Sequence, residues 1–304
     1  MTNILIITDL EGVSGVYDMA NMSSCISNYN NEVENIIKRI LSLKKYKIYI
    51  CDCHDHGVYL CELEKKYPNI TFYHTIWEIN FDVHYDYSML CGFHAKGGSK
   101  GILSHSFRLE FDNITLCDKA VGEIEIFINY LAFYNIKTIF VSADNVAIED
   151  MDDYDGIKFI TKYNDVFDYN IKENYIKMDC SIEMALDRKE EILSQTYDNG
   201  CIKVQIKDDY LINKLKEDYK VINDCLVFNN TLEFINELYN LCFVLNNLNA
   251  EQKKDMLLYL YKNYHNRRID ISNKRVKYLW AKDIQKLTIS ELKEVILFFD
   301  NNCN

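Results

Sequence analysis

The chain has 304 residues, 48% of them apolar, with abundant Tyr (23) and Phe (15) and a formal net charge of −12. That length can bury a sizeable core in one large domain or two modest ones, and a single Pro with 10 Gly excludes a disordered or fibrous chain. The acidic balance argues against a nucleic-acid partner, because such binding is dominated by Lys and Arg on phosphate.

No apolar run approaches the roughly 18 residues of a membrane span, and no charged-then-apolar leader opens the chain. A soluble, cytoplasmic protein without a membrane partner is expected. The 11 Cys are an odd number spread through apolar segments. They read as reduced core residues, not a disulfide framework.

The opening stretch is Asn3-Ile4-Leu5-Ile6-Ile7-Thr8-Asp9-Leu10-Glu11-Gly12-Val13-Ser14-Gly15. A continuous apolar run bounded by Gly reads as a buried strand of a mostly parallel sheet. Residues i and i+2 of a strand share a face, so Asp9 and Glu11 are expected together at its carboxyl end, where open α/β sheets bind ligands. Two like charges so placed need a proton, a cation or a metal beside them. The plainer alternative has Asp9 capping a loop and Glu11 facing water.

A loop rich in Asn and Ser follows, then an amphipathic helix over about 30–45 with Val33, Ile36, Ile37, Ile40 and Leu41 at helical spacing. Lys47-Ile48-Tyr49-Ile50-Cys51 is a second strand, completing a right-handed β-α-β unit. It delivers Asp52-Cys53-His54-Asp55-His56-Gly57 to the same sheet edge as Asp9 and Glu11. A short helix is expected over 58–66, a third strand over 70–73, and a strand over 87–93 that ends in His94.

A Gly-rich turn (Gly97, Gly98, Gly101) leads to Ser104-His105-Ser106, then a helix over about 121–134 and a strand over 138–142 ending in Asp144-Asn145. Further on come a strand near 157–161, a helix near 182–194, a strand over 202–206, a helix or turn after Asp208, strand-like 220–228 and a strong helix over 232–245. Residues 251–304 are helical, charged and rich in Tyr and Leu.

Asp9, Glu11, His54 and His94 thus coincide at one predicted sheet edge. Mixed imidazole and carboxylate donors suit Zn²⁺ or a similar divalent ion, and paired ions in hydrolases share bridging carboxylates. Other motifs fail. Cys51, Cys53, His54 and His56 lack the knuckle spacing of a structural zinc site. Gly97-Gly98-Ser99-Lys100 does not fit a phosphate loop. Cys53 beside His54 lacks an orienting third group.

Five segments in order, Asp9-Leu10-Glu11-Gly12-Val13-Ser14-Gly15, Asp52-Cys53-His54, Gly92-Phe93-His94-Ala95, Ser104-His105-Ser106 and Val121-Gly122-Glu123, resemble the DppA-type D-aminopeptidases. The resemblance is clear over 3–145 and weaker to about 246. It implies an α/β fold with a mostly parallel sheet flanked by helices and a second, smaller α/β subdomain. The C-terminal helical extension has no recognised counterpart. The expected division is a metal-binding core over 1–145, a second subdomain of the same peptidase-like unit over 146–248, and the extension over 249–304.

Carried over residue by residue, the resemblance implies two Zn²⁺ per chain (another divalent metal being possible) on Asp9, Glu11, His54, His94 and Glu123, with Asp9 bridging. His105 matches the catalytic His beside the metals. From spacing alone Glu123 is an ordinary first-turn Glu favoured by the helix dipole. The implied chemistry is amide hydrolysis by activated water, with His105 moving a proton to the leaving amine or helping to stabilise the oxyanion. The resemblance also implies a homo-oligomer, as rings of subunits.

Departures from the family pattern fall at Glu125 and Phe127, over 77–87, and in Ala143-Asp144-Asn145, which replaces the usual Gly-Asp-Asp; Glu125, Phe127 and Asp144 are the candidate substrate contacts. They put D-dipeptide specificity in question. The default reading is a zinc aminopeptidase acting on a D-amino-acid-containing peptide such as a D-Ala dipeptide. The alternatives are the same chemistry on another amide, such as a specialised metabolite or modified peptide, and a non-catalytic scaffold that retains the fold.

Overall fold

A computed structural model describes residues 2–151, 153–166, 170–264, 273–281 and 284–302. The described residues divide into two compact units: residues 2–207 with 222–236, and residues 208–221 with 237–302.

The first unit is built on a parallel sheet. Its strands are β1 (Thr2–Thr8), β2 (Tyr46–Asp52), β3 (Thr71–Tyr73), β4 (Tyr87–Phe93), β7 (Lys137–Asp144) and β8 (Ile157–Lys162). They lie in the order β3-β2-β1-β4-β7-β8, every neighbouring pair parallel. The order reverses between β1 and β4, and the crevice outside the carboxyl ends of strands at such a switch point is where α/β sheets take ligands.

Ile4 and Ile6 of β1, Ile48 and Ile50 of β2, and Met89 and Cys91 of β4 form one apolar face. It packs with α1 (Met22–Ser42) and α5 (Ile171–Asp187). The alternate residues Leu5, Ile7, Tyr49, Cys51 and Leu90 are buried as well, so the sheet is covered on both sides.

A second sheet has the order β10-β11-β9-β5-β6. It comprises β5 (Phe111–Leu116), β6 (Lys119–Val121), β9 (Ile202–Ile206), β10 (Val221–Ile222) and β11 (Cys225–Phe228). Along the chain α2 (Cys61–Lys66) connects β2 to β3, α3 (Glu123–Phe133) follows β6 and leads back to β7, and α4 (Asn145–Glu149) connects β7 to β8.

Helices α6 (Asp209–Leu215), α8 (Lys274–Ala281) and α9 (Ile289–Asn302) belong to the other unit, and α7 (Thr231–Tyr264) begins in the first and runs on into the second. The second unit has its own core around Leu260, Val276, Leu279, Leu292, Val295 and Phe299. Parts of the expected C-terminal helical stretch (265–272, 282–283 and 303–304) lie outside the described residues.

Several elements differ from the sequence expectation. Helix α1 starts near residue 22, not 30, because Asn21 caps it by accepting from the Ser24 N–H (3.3 Å) and the buried stripe already begins at Cys25 and Tyr29. Helix α5 ends at Asp187, where 182–194 was expected, with its buried face at Met178, Ile182, Ala185 and Leu186. The hairpin of β5 and β6 was not anticipated. Its turn residues Cys117 and Asp118 both have positive φ (+50° and +65°) without the Gly or Asn that advertises such turns. The expected strand 220–228 is interrupted by a second two-residue turn, Asn223 and Asp224, again with positive φ. Helix α7 continues well past 245. Each of the ten described cysteines is a free thiol.

Candidate metal centre

The ends of β1, β2 and β4 converge with the start of α3. β1 stops at Thr8, so Asp9 and Glu11 are not on a pleated strand as expected but on a tight turn. The Asp9 N–H donates to Cys91 O (2.9 Å) and the Gly12 N–H to Gly92 O (2.8 Å), tying this turn to β4. Two glycines permit the approach. A Cβ on Gly12 would lie 1.5 Å from Phe93 O, and one on Gly92, whose φ is +77°, would lie 2.2 Å from Asp9 O.

His54 follows β2. Its backbone N–H donates to Asp52 Oδ1 (3.2 Å), which also accepts from the buried Tyr29 hydroxyl (2.7 Å). The Tyr29 oxygen lies 2.6 Å from Thr8 Oγ1, so β1, β2 and α1 jointly fix the start of the His54 turn. The His56 side chain lies outside the described residues. His94 follows β4, with Nδ1 2.9 Å from Ala95 O. A carbonyl only accepts, so Nδ1 carries the hydrogen and Nε2 is turned toward the carboxylates. His105 is held alike, Nδ1 2.9 Å from Leu103 O, and its ring stacks on that of His94 at 4.2 Å. Glu123 opens α3, and its Oε1 accepts the Phe107 N–H at 2.6 Å.

All six predicted residues, Asp9, Glu11, His54, His94, His105 and Glu123, meet here. His54 Nδ1 lies 2.8 Å from Glu11 Oε2 and 3.4 Å from Asp9 Oδ1. His94 Nε2 lies 3.5 Å from both Asp9 Oδ2 and Glu123 Oε1. His105 Nε2 lies 3.9 Å from Glu11 Oε1. Asp9, Glu11 and His54 form one trio of potential ligand atoms, and His94, His105 and Glu123 a second. Asp9 stands between them, one oxygen toward each.

The electrostatics call for positive charge. Asp9 is pushed up to about 6, first by burial and then by the Glu11 charge beside it. Burial opposes charge on His54 and His94, but Asp9 and Glu11 raise His54 to about 11, and Glu123, Asp9 and Glu11 raise His94 to about 10. Burial likewise acts against charge on Glu11 and Glu123, yet the imidazoles hold both below the usual carboxylate range, His54 foremost for Glu11 and His94 foremost for Glu123. Protons on the imidazoles thus occupy the electrostatic role of a bound cation. Asp9 Oδ2 is buried without a hydrogen-bond partner. A mixed nitrogen and oxygen donor set with such an orphaned oxygen fits zinc.

The three candidate substrate contacts have other partners. Glu125 accepts the Gly122 N–H (2.8 Å) and caps α3. Phe127 is buried edge-to-face against Phe93 and Phe107. Asp144 is fully buried, accepting the Ala95 N–H (2.8 Å) and the Ala147 N–H (2.9 Å). Sequence reasoning passed over Lys162 at the end of β8. It is fully buried among the carboxylates of Asp144, Glu11 and Glu32, and burial lowers its ammonium to about 8.

A doubly wound sheet with carboxylates and imidazoles at its switch point is the frame of a metal-dependent hydrolase. The family model described as D-aminopeptidase matches residues 2–163, more than half of the chain and every residue of the cluster. The chain belongs to this family of peptidases. Among solved structures it is similar to one described as the Zn-dependent D-aminopeptidase DppA from Bacillus subtilis, a self-compartmentalizing protease. The TM-score is 0.71 at 14% identity, covering 80% of this chain and 97% of that one. That likeness establishes the fold. No curated protein matches the chain. Among the described residues no helix is long and apolar enough to cross a membrane.

Proposed function

We propose that the chain is a zinc-dependent aminopeptidase with a dinuclear site formed by Asp9, Glu11, His54, His94 and Glu123. The observation that carries this reading is the placement of Asp9, whose Oδ1 lies 3.4 Å from His54 Nδ1 and whose Oδ2 lies 3.5 Å from His94 Nε2. A carboxylate so turned toward two imidazoles suits a bridge between two ions. When bound, zinc supplies Lewis acidity and brings the pKa of water to about 7.

The chain's own groups do the rest. Glu11 and His54 hold one side of the site and His94 and Glu123 the other. His105, its Nδ1 held by Leu103 O (2.9 Å) and its Nε2 facing the cluster, carries a proton to the leaving amine. The default substrate is a short peptide with an amino-terminal D-residue, such as a D-Ala dipeptide. Its free α-amine would be read by a carboxylate near the site. Another amide acted on by the same residues is the second reading, prompted by the departures from the family pattern at Glu125 and Phe127, of which Phe127 packs on Phe107, whose N–H donates to Glu123. The resemblance to a self-compartmentalizing protease supports a homo-oligomer, and the free thiols support a cytoplasmic location.

The test is metal content of wild-type protein and Glu11→Ala, with hydrolysis of matched D- and L-dipeptides measured with and without chelator. About two zinc ions per chain in the wild type, falling sharply in Glu11→Ala, is the expected result, with chelator-sensitive turnover of the D-series. A chain that takes up no zinc refutes the reading and makes the scaffold alternative the better one.

A further inference from the structure

The turn carrying Glu11 is fastened on two sides. On one side its N–H groups are bound to β4, as described above. On the other, β8 takes its carbonyls, although β4 and β7 separate β8 from β1 in the sheet. The Lys162 ammonium donates to Glu11 O and to Val16 O, and the Thr161 hydroxyl donates to Gly12 O. The Ser14 hydroxyl donates back to Thr161 O (3.2 Å), and its N–H donates to the buried Glu32 Oε2 (2.9 Å). Asn174 from α5 closes the group by donating to Thr161 O (2.8 Å) and Ser14 Oγ (3.0 Å).

We propose that Thr161 and Lys162 are positioning residues: together they clamp the turn so that the Glu11 carboxylate is pre-set for metal. The inference rests on the metal site proposed above. Its physical basis is cost. A buried ammonium loses its hydration, and an apolar side chain would fill the same volume without that loss. The two carbonyls that Lys162 engages are those of Glu11 itself and of Val16, which bracket the turn. A ligand's bond to metal tolerates only about 0.2 Å of error, so a loop free to shift would lose affinity even with its carboxylate intact. The Lys162 charge also lies among the carboxylates of Asp144, Glu11 and Glu32, where it eases their mutual repulsion.

The experiment uses the full chain, stripped of metal, as wild type, Thr161→Val and Lys162→Met. Zinc affinity is read by competition with a chromophoric chelator, alongside Tm, kcat and KM on a D-dipeptide. Thr161→Val keeps the side-chain shape and removes only the hydroxyl. The expected result is zinc binding about ten-fold weaker or more in both variants, as when partners behind a ligand are lost. Saturating zinc should restore most of kcat, with KM little changed.

Variants that bind zinc as tightly as wild type, even with a lowered Tm, would overturn the proposal and leave the clamp purely structural. If Lys162→Met fails to fold, Thr161→Val decides alone. A wild type that takes up no zinc refutes the metal-site reading and the clamp with it. Tight wild-type binding with unchanged variants refutes the clamp only.

Discussion

Gly12→Ala tests the closeness of the β1 turn to β4. The added Cβ would sit 1.5 Å from Phe93 O and 2.2 Å from Phe93 C, whereas ordinary contact begins at 3.4 Å. Both contacts are with backbone, so no rotamer can relieve them. The two segments must separate by about 1.9 Å, the difference between 3.4 and 1.5 Å. Gly12 adjoins Glu11 and Phe93 adjoins His94, so the separation opens across the site.

Two donors each about 2.1 Å from one zinc ion can be at most about 4.2 Å apart. Asp9 Oδ2 and His94 Nε2, 3.5 Å apart, meet that limit. Widened by the 1.9 Å derived from the Gly12 contact, the pair stands 5.4 Å apart and fails it. Zinc affinity at the His94 side should fall by roughly 100-fold, with about 1–3 kcal/mol of stability lost to overpacking. Calorimetric zinc titration of the metal-free protein reads the first and thermal melting the second.

Gly98→Ala is the control. Gly98 has φ +80°, but the nearest atom to its Cβ is Asp112 O at 3.7 Å. It should cost about 1 kcal/mol of backbone strain and leave zinc binding intact. Zinc affinity of Gly12→Ala equal to that of Gly98→Ala would refute the reasoning.

Two further predictions concern the same residues. His105→Ala should retain both zinc ions and lose about 100-fold or more in kcat; loss of one ion with the side chain would instead make His105 a ligand of the His94 and Glu123 trio. Because His54 and His94 are raised to about 11 and 10, both hold protons at neutral pH. Zinc uptake should therefore release about two protons per chain, read by calorimetry in buffers of different ionisation enthalpy. Uptake without release would contradict the charge pattern.

The same values set the stability of the metal-free protein. The contribution of His54 and His94 is complete below their ordinary 6.5 and is lost as pH climbs toward 10 and 11. That of Glu11 and Glu123 is complete above 4.5 and lost on acidification, while that of Asp9, raised from 3.8 to about 6, is lost as pH climbs between those two values. Melting temperature should peak at about pH 4.5, where the Glu11 and Glu123 contributions are complete and that of Asp9 is only partly lost. A maximum above pH 8 would refute this assignment.

Much of the parallel sheet was readable because its strands are continuous apolar runs. The 87–93 strand coincides with β4, and the expected second strand, 47–51, lies within β2. Elements whose cues are weak were not readable. The start of α1 is rich in Ser and Asn, poor helix formers that here face outward while Cys25 and Tyr29 point in. The turn at Cys117 and Asp118 adopts positive φ through residues that seldom do so. Packing overrode local preference in the helix, and in the exposed turn the pairing of β5 with β6 did so.

The candidate site shows the same division more sharply. Asp9 and Glu11 were paired by strand periodicity, and they are indeed neighbours, but a turn beyond the strand brings them together. Their proximity comes from hydrogen bonds that tie the turn to β4 and not from the pleat of a strand. Glu123 carried no signal of its own, because a Glu in the first turn of a helix is ordinary. Only resemblance singled it out.

Lys162 ends an apolar strand, where a lysine normally marks the emergence of the chain into water. Its ammonium is satisfied by two carbonyls about 150 positions away, those of Glu11 and Val16, a relation no local pattern encodes. Candidate ligand atoms just beyond strand ends can therefore be picked out from sequence when each strand announces its own terminus. The groups that hold those atoms still depend on contacts between distant segments, and they become visible only when the chain is folded.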